Sequence, residues 1–179
     1  QIMLNIMACV FMVALGLAAA TAVRTSEAVG RRAPADAARA GWTGLALNTI
    51  AMLIAAALIA TFAVPIGRLY TADFALAALI ASLMWVAAWA LTPDGAQVVV
   101  ASALRARGDN WFPTFSHILA YALVKPVLGF WLGEHLGMGV AGLLFAIFWA
   151  SVLSAVVLIL RWWALSARPA HAPALEPSA

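Results

Sequence analysis

The sequence predicts an all-α protein, a polytopic bundle of five membrane-spanning helices. Of its 179 residues, 66% are hydrophobic and 9% are charged, whereas soluble domains average about 45–50% apolar and about 25% charged residues. The mean hydropathy is +1.01. The apolar residues are grouped into stretches of about 20 residues or more, the length that a helix needs to cross a bilayer. This composition excludes an ordinary soluble domain.

Short segments containing Arg, Asp, Gly or Pro separate the five apolar stretches. Transmembrane helices are therefore predicted at residues 1–23, 42–69, 74–104, 111–132 and 140–163. Only four residues separate the second and third helices. Among them, Thr71 is the predicted N-cap of the third helix, and Asp73 is expected to favour the positive end of its dipole.

The distribution of arginine predicts the orientation of the bundle. Three segments on one side of the predicted helices hold most of the bases, and the opposite side has Arg68 alone. The bases on the rich side are Arg24, Arg31, Arg32, Arg39, Arg105, Arg107, Arg161 and Arg168. The positive-inside rule places this side in the cytoplasm, with the C-terminus inside. Nine of the ten bases are Arg and Ala is abundant, which indicates a bacterial source, so the expected location is a plasma membrane, the inner membrane of a bacterium.

Five spans with an outside start and no initiator methionine favour a six-helix unit that lacks its first helix. Six-helix units are common building blocks of transporters with internal repeats. Residues 1–165 are predicted to form this lobe. Residues 166–179 are rich in Pro and Ala, and we expect them to form a disordered cytoplasmic tail.

One carboxylate lies within the third apolar stretch. Asp94 follows Pro93 and precedes Gln97 by about one helical turn. A charge at bilayer depth costs about 3 kcal/mol on insertion scales, and a proline beside it frees backbone carbonyls. Because buried membrane carboxylates usually line ion or substrate pathways, Asp94 is the main candidate functional residue and Gln97 a neutral ligand beside it. A purely structural hydrogen-bonding role is the alternative.

The fourth stretch contains Lys125, which precedes Pro126 and shares a polar stripe with Tyr121. At 1.5 Å per residue, Asp94 is about 15 Å from the end of its helix and Lys125 about 21 Å into the next, so their depths are similar. One interpretation is an intramembrane ion pair that competes with an incoming cation. The other is that Lys125 extends towards the outer interface.

Asn5 is the polar candidate of the first stretch, one turn after Gln1. It is either a neutral ligand of the same site or a partner in interhelical hydrogen bonding. No GxSxG, HExxH or P-loop pattern predicts an enzyme. The spacing of His117, His135 and His171 does not predict a zinc site, and His117 is expected near a membrane interface. The scattered bases do not indicate a nucleic-acid partner.

Four sequence motifs occur in a fixed order along the chain. They are VRTSEAVGRR at residues 23–32, followed by an Ala-Arg-Ala-Gly stretch at 38–41, LYTADFAL at 69–76, PDGAQVVVASALRARGDNWFP at 93–113 and GMGVAGLLFA at 137–146. Together they resemble the C-terminal lobe of the multidrug and toxic compound extrusion (MATE) transporters. The first is similar to a cytoplasmic motif of that family and the second to the turn between its ninth and tenth helices. The third and fourth resemble its tenth helix with the following loop and the start of its twelfth helix.

The resemblance implies a secondary antiporter of two six-helix lobes that exports organic cations in exchange for H⁺ or Na⁺, with no other cofactor. In its sodium-linked members the acid at the position of Asp94 belongs to a cation site, so Na⁺ at Asp94 is the metal to consider. The implied partners are the lipid bilayer, organic cations and an N-terminal lobe of the same polypeptide. Two residues depart from the family pattern. Lys125 occupies a position that is usually apolar in the family, and Ala90 occupies a position at which some sodium-linked members have a tyrosine.

The predicted function is therefore drug and organic-cation export, with Asp94, Gln97, Asn5, Tyr121 and Lys125 as the candidate site residues. Two alternatives remain at this stage. In the first, the chain is a structural or assembly membrane protein that Asp94 and Lys125 lock together. In the second, it is a flippase for lipid-linked precursors, whose cavity would need several bases facing an anionic pyrophosphate.

Overall fold

The computed structural model describes residues 2–71 and 73–167, and this part of the chain contains helices and no strand. In chain order the elements are α1 (Ile2–Gly30), α2 (Pro34–Tyr70), α3 (Phe74–Ala106), α4 (Trp111–His117), a first π-helical segment (Ile118–Val124), α5 (Lys125–Phe130), a second π-helical segment (Trp131–His135) and α6 (Gly139–Ser166). The elements from α4 to the second π-helical segment are continuous and form one span. Five spans are long and apolar enough to cross a membrane, which confirms the predicted fold class.

The first two helices extend further than predicted. The sequence predicts a loop at residues 24–40, but α1 continues to Gly30 and α2 begins at Pro34. In the short connection Arg32 has a φ of 57°, a left-handed conformation that reverses the chain within a few residues. Ala-rich sequence favours helix on both sides, and proline fits the first turn of α2. The 37 residues of α2 span about 55 Å, longer than a hydrocarbon core of about 30 Å.

The third span begins where predicted, but its N-cap is Asp73 and the prediction of Thr71 is wrong. Asp73 Oδ1 accepts hydrogen bonds from the backbone N–H groups of Ala75 at 2.9 Å and Leu76 at 3.4 Å. Thr71 has an extended backbone after α2, and its hydroxyl accepts from Asp73 N–H at 3.1 Å. A carboxylate therefore meets the positive end of the helix dipole.

The central helix of the bundle is α3, which packs against α1, α2 and α6. Most of its buried positions are small, so neighbouring backbones approach closely, as is common where helices associate in lipid. The buried alanines are Ala77, Ala81, Ala87, Ala88, Ala96, Ala101 and Ala103. Met52 and Met84 fill the space between α2 and α3, while Trp162 and Leu158 of α6 pack near the end of α3.

The end of the bundle that carries Arg31, Arg39, Arg107 and Arg161 is called the basic end below. Here Arg107, in the loop after α3, lies with its guanidinium 4.6 Å from the ring centroid of Trp162. The same group donates hydrogen bonds to the Pro34 carbonyl at 3.4 Å and to Ser166 Oγ at 3.5 Å. Burial lowers the pKa of Arg107, but an arginine stays protonated at physiological pH. Arg107 thus joins α2 and α6 to the end of α3.

A second contact at the basic end links α6 to the loop before α4. Arg161 Nε donates to Asp109 Oδ2 at 2.9 Å, and the guanidinium lies 5.0 Å from the Phe112 ring centroid. Asp109 also accepts from Phe112 N–H at 3.4 Å. These contacts fix the point at which the fourth span begins. The predicted tail beyond Ala167 lies outside the described residues, as does Gln1.

The closest approach of α2 to α6 depends on a glycine. Gly41 is buried against the Trp162 indole, and a Cβ at this position would overlap the ring. We expect Gly41→Ala to destabilise the bundle by about 1–3 kcal/mol, the usual cost of overpacking a rigid neighbour. The measurement is the thermal unfolding midpoint in detergent, followed by circular dichroism. Gly16→Ala is the control, because no atom lies within 4 Å of its added methyl group; equal midpoints for the two variants would contradict the packing described.

Candidate functional site

The Asp94 carboxylate is bound by three neutral donors. Its Oδ1 atom accepts hydrogen bonds from Gln97 Nε2 at 2.6 Å, Tyr121 Oη at 2.9 Å and Ser151 Oγ at 3.2 Å. Gln97 is on the same helix as Asp94, Tyr121 is in the first π-helical segment and Ser151 is in α6. We call these four residues the Asp94 cluster. It joins three of the five spans through one carboxylate oxygen.

The donors of the Asp94 cluster also contact one another. Tyr121 Oη and Ser151 Oγ are 2.9 Å apart, and either hydroxyl can donate to the other. Gln97 Nε2 also donates to Tyr121 Oη. Because each hydroxyl has one proton, it donates either to the carboxylate or to the neighbouring hydroxyl. The cluster can therefore change its donor pattern without moving a backbone.

One fully buried acceptor in the Asp94 cluster has no described partner. Gln97 is only 2% exposed, and its Oε1 atom is buried without a hydrogen bond in the described part of the chain. An unpaired buried polar atom is costly and marks a place where a donor is missing. Gln97 Oε1 is thus a free acceptor on a side chain one helical turn from Asp94.

The first π-helical segment was not predicted, and it positions Tyr121. The sequence predicts a single helix over residues 111–132, whereas the structure alternates α and π geometry up to His135. The N–H of Lys125 donates to the Ala120 carbonyl, five residues earlier. Pro126 follows directly and has no N–H to donate. π-helical turns often occur at functional sites, and this one carries the only tyrosine of the cluster.

The structure does not form the Asp94–Lys125 ion pair, which was one of the two interpretations of Lys125 from the sequence. Among the described residues, no carboxylate lies within 4.0 Å of the Lys125 ammonium. Instead, Lys125 Nζ is 5.7 Å from the ring centroid of Tyr121, a cation–π distance. The half-buried lysine and Asp94 therefore contact different parts of Tyr121: Lys125 lies over its ring, and Asp94 accepts from its hydroxyl. Hydrogen bonding of Asp94 by Tyr121 and Ser151 explains why a direct contact with Lys125 is not needed for its solvation.

Two other polar residues differ in how they relate to the cluster. Asn5 is exposed on α1, and none of the cluster's hydrogen bonds involves it, so the structure does not join this predicted ligand to Asp94. His117, expected near an interface, is half-buried one turn before Tyr121, with ring centroids 6.2 Å apart. Its ring lies between Tyr121 and the basic end of the same span.

Ser151 is the member of the cluster that sequence reasoning missed. It is fully buried in α6, one turn before Ser154, within an otherwise apolar span. A hydroxyl in such a span often bonds across helices, and this was the available signal. By contrast, four hydroxyls elsewhere in the bundle each donate to a carbonyl of their own helix, namely those of Thr21, Thr49, Thr61 and Ser82.

Two cavities lie outside the Asp94 cluster. One, of about 560 Å³, lies between α1 and α2 at the basic end and has mixed charge, with Arg24, Glu27 and Asp36 among its lining residues. The other, of about 520 Å³, is an apolar groove between α2, α3 and α6, and Pro93 and Phe148 contribute to it. Neither is lined by the Asp94 side chain, so the cluster is assigned from its hydrogen bonds and charge.

A family model and curated relatives both relate this chain to the same family of membrane proteins. The MatE family model matches residues 1–131. The chain is 41% identical over 161 residues to the probable multidrug resistance protein NorM of Caulobacter vibrioides, an alignment that covers 90% of this chain and 34% of the relative. It is 33% identical over 170 residues to the corresponding protein of Rhodopseudomonas palustris, covering 93% of the chain and 36% of the relative. The chain thus spans about a third of the length of these relatives.

A solved structure supports the fold. The chain resembles the crystal structure of the eukaryotic MATE transporter AtDTX14 with a TM-score of 0.81 and 18% sequence identity. The match covers 92% of this chain and 38% of that chain. At this identity the likeness concerns the arrangement of the helices.

The hydroxyl of Tyr121 is expected to stabilise the bundle through Asp94. Tyr121→Phe removes one hydroxyl donor, which serves either Asp94 or Ser151, and should lower the free energy of unfolding by about 1–3 kcal/mol, because the half-buried carboxyl group of Asp94 loses a hydrogen-bond partner. The measurement is the thermal unfolding midpoint in detergent for Tyr121→Phe, Asp94→Leu and the double variant. If the hydroxyl acts through the carboxylate, its loss costs little in the Asp94→Leu background; an equal cost in both backgrounds would refute this coupling.

Proposed function

The chain belongs to the MatE family, and from this premise we propose that it forms most of the C-terminal lobe of a multidrug efflux transporter that exports organic cations in exchange for protons. The relatives that match it are named as multidrug resistance proteins and are about three times as long. The remaining part of such a transporter would supply the other lobe, against which this one moves. The proposal also places the chain in the bacterial inner membrane, with the basic end in the cytoplasm.

The observation that carries the proposal is the presence of a carboxyl group, that of Asp94, within an apolar span. Its three hydrogen-bond donors are all neutral, and no cation contacts it among the described residues. Hydrogen bonds from neutral donors offset part of the cost of removing an ionised carboxylate from water, but they do not neutralise its charge. In a medium of low dielectric constant an uncompensated charge attracts a counter-ion strongly. A cationic drug or a proton satisfies that requirement.

The free acceptor Gln97 Oε1 supports the same assignment. An organic ammonium that approaches Asp94 can donate an N–H group to this oxygen, and a protonated Asp94 can donate its own O–H. Both bound states then gain a hydrogen bond that the present state lacks. Because protonation removes the charge that holds the cation, drug and proton bind to Asp94 alternately, which is the requirement of an antiporter.

The donor set favours a proton over Na⁺ as the coupling ion. A sodium site needs several oxygen lone pairs turned towards one point. Here an amide Nε2 and two hydroxyls direct their hydrogens towards Asp94 Oδ1 or towards one another. Protonation of the carboxylate leaves these partners in place, whereas Na⁺ would require the Gln97 amide and both hydroxyls to reorient.

The change between outward and inward states requires a place to bend, and we propose Pro93 for this role. The helix α3 is continuous through Pro93, which cannot donate a hydrogen bond to the carbonyl four residues earlier. Asp94 is the next residue, so bending at this point would move the carboxylate directly. Kinks in long helices are usually located at such prolines.

The two alternative functions have less support. The structural alternative depends on an ion pair of Asp94 with Lys125, and no such contact within 4.0 Å is present in the described chain. A flippase for lipid-linked precursors needs several bases around an anionic pyrophosphate. In the described part of the chain, the bases that lie against a residue of the Asp94 cluster are Lys125 and His117, both at the Tyr121 ring, and a pyrophosphate site needs more positive charge than these two supply.

Removing the charge of Asp94 should abolish export. The complete transporter that carries this chain is reconstituted in vesicles, and efflux of the fluorescent cation ethidium is followed under an imposed pH gradient or an imposed Na⁺ gradient. Asp94→Asn should reduce gradient-driven efflux at least about tenfold, since one charge serves both ligands. The control is Asp36→Asn, which removes an exposed carboxylate at the basic end. Unchanged efflux in Asp94→Asn would disprove the proposed role, and stimulation by Na⁺ alone would disprove proton coupling.

The proposed orientation is tested with single cysteines. Cys9 is the only cysteine in this sequence. Replacing it, together with any other cysteines of the complete transporter, gives a cysteine-free background for labelling. Arg32→Cys lies in the connection at the basic end, and Met138→Cys lies in the connection before α6. In intact cells a membrane-impermeant maleimide should label Met138→Cys and spare Arg32→Cys until the cells are opened. The reverse pattern would overturn the orientation.

A further inference from the structure

The cavity of about 560 Å³ between α1 and α2, called the basic-end groove below, has no part in the proposed function. Its volume is within the range of about 300–1,000 Å³ that ligand sites in proteins have. On α1 the groove begins just before the VRTSEAVGRR motif at residues 23–32 and extends along it. A sequence motif and a cavity therefore coincide at a place that lies outside the Asp94 cluster.

The basic-end groove changes from charged to apolar along its length. Arg24 and Arg31 line the charged part, and Leu17, Ala20 and Leu47 line the apolar part. The four α1 residues follow one another at intervals of three, four and seven, so they share one face of the helix. From Leu17 to Arg31 this face is about 21 Å long, close to the thickness of one leaflet, half of a bilayer of about 40–45 Å. A molecule with a charged head and an apolar tail fits this gradient.

A close contact between the two helices lies at the transition from the charged part to the apolar part. Gly44 of α2 is buried, and a Cβ at this position would overlap the side chain of Thr21 on α1. Thr21 is also buried, and its hydroxyl donates to the Leu17 carbonyl at 2.7 Å. Both residues line the groove. Because the Thr21 proton is used within its own helix, recognition of a polar ligand depends on the charged side chains.

The charged part of the groove contains groups of both signs. Arg39 forms an ion pair with Asp36 at 3.7 Å, so these two compensate each other. For Arg24, Glu27 and Arg31 no ion pair within 4.0 Å is present in the described chain, although their three- and four-residue spacings would allow one. All three side chains are exposed. Two guanidinium groups and one carboxylate are therefore accessible to a ligand on one face of α1.

We propose that the basic-end groove binds a phospholipid, phosphatidylethanolamine, whose phosphate contacts Arg24 and Arg31 and whose ammonium contacts Glu27. A guanidinium group matches phosphate oxygens in geometry as well as in charge, and an ammonium group forms a charge-assisted hydrogen bond with a carboxylate. An acyl chain then lies along Leu17, Ala20 and Leu47. Basic pockets between membrane helices bind lipid headgroups in the same way. The VRTSEAVGRR motif thus has a function separate from the transported cation.

Three related ligands separate the parts of this recognition. Phosphatidylglycerol has the phosphate and the acyl chains but no ammonium group for Glu27. Phosphatidylcholine has the same net charge as phosphatidylethanolamine, but its methylated nitrogen has no N–H to donate to Glu27. Soluble glycerophosphoethanolamine has the complete headgroup, but it leaves the apolar part empty and does not gain the free energy of burying an acyl chain.

The test is native mass spectrometry of the complete transporter, stripped of lipid and titrated with one phospholipid at a time. Phosphatidylethanolamine should bind at least about fivefold more tightly than phosphatidylcholine, because one charge-assisted hydrogen bond is lost with the latter. The double variant Arg24→Gln/Arg31→Gln should weaken phosphatidylethanolamine and phosphatidylglycerol at least about tenfold. Glu27→Gln should weaken phosphatidylethanolamine about fivefold and should not weaken phosphatidylglycerol. Arg105→Gln is the control, because Arg105 is exposed at the end of α3 and does not line the groove.

Equal phosphatidylethanolamine binding by the unmodified protein and the double arginine variant would overturn the proposed site. Absence of lipid binding by the unmodified protein would also overturn it, as expected if the rest of the polypeptide fills the groove. Equal weakening of both lipids by Glu27→Gln would overturn the ammonium contact. Displacement of the lipid by an equal concentration of glycerophosphoethanolamine would replace the lipid with a soluble phosphate ester. The thermal unfolding midpoint identifies a double variant that fails to fold, and Glu27→Gln then carries the test. Ethidium efflux is not measured here, so the proposed function is tested separately.

Discussion

A carboxylate inside an apolar bundle needs hydrogen-bond donors from the protein itself, and the arrangement of the central helices follows from how Asp94 obtains them. One donor comes from its own helix, one from the fourth span and one from α6. These three spans can have only the relative depth and rotation that bring Gln97, Tyr121 and Ser151 to the same oxygen. Small residues along α3 allow the approach, but they do not define a register. The polar cluster gives the packing its specificity.

The Asp94 cluster supplies hydrogen bonds to the carboxylate without supplying a positive charge. Neutral donors make the anion tolerable within the bundle, and they do so without a fixed counter-ion. A permanent salt bridge would hold the helices equally well but would leave no reason for a cation to enter. Among the described residues, Asp94 has three hydrogen-bond donors and no cationic partner. The site also lacks a hydrogen-bond donor for Gln97 Oε1, which is buried and unpaired in the described part of the chain.

The sequence predicts the parts of this molecule that depend on local pattern. The five spans follow from apolar length, and the pairing of Asp94 with Gln97 follows from helical spacing. Ser151 was missed because a single serine in an apolar helix resembles a small packing residue. Its partners, Asp94 and Tyr121, lie on other spans, so only the packing of the spans identifies them. The π-helical segments were missed because no residue type specifies them. The predicted loop at 24–40 was wrong because charge marked it as a loop, whereas Ala, Arg and Glu also favour helix. Asn5 was grouped with Asp94 on polarity alone, which carries no information about distance.

The first π-helical segment also affects how this chain can be aligned with its relatives. A π turn closes over one residue more than an α turn, so residues 118–124 contain an excess of about one residue per turn over a regular helix. A relative whose fourth span is α-helical throughout would need a gap between His117 and Lys125 to keep both flanks in register. An ungapped alignment would assign the position of Tyr121 to a neighbour on a different face. For such a relative, equivalent residues in this span are identified by superposition, because counting residues along the sequence would give the wrong correspondence on one side of the segment.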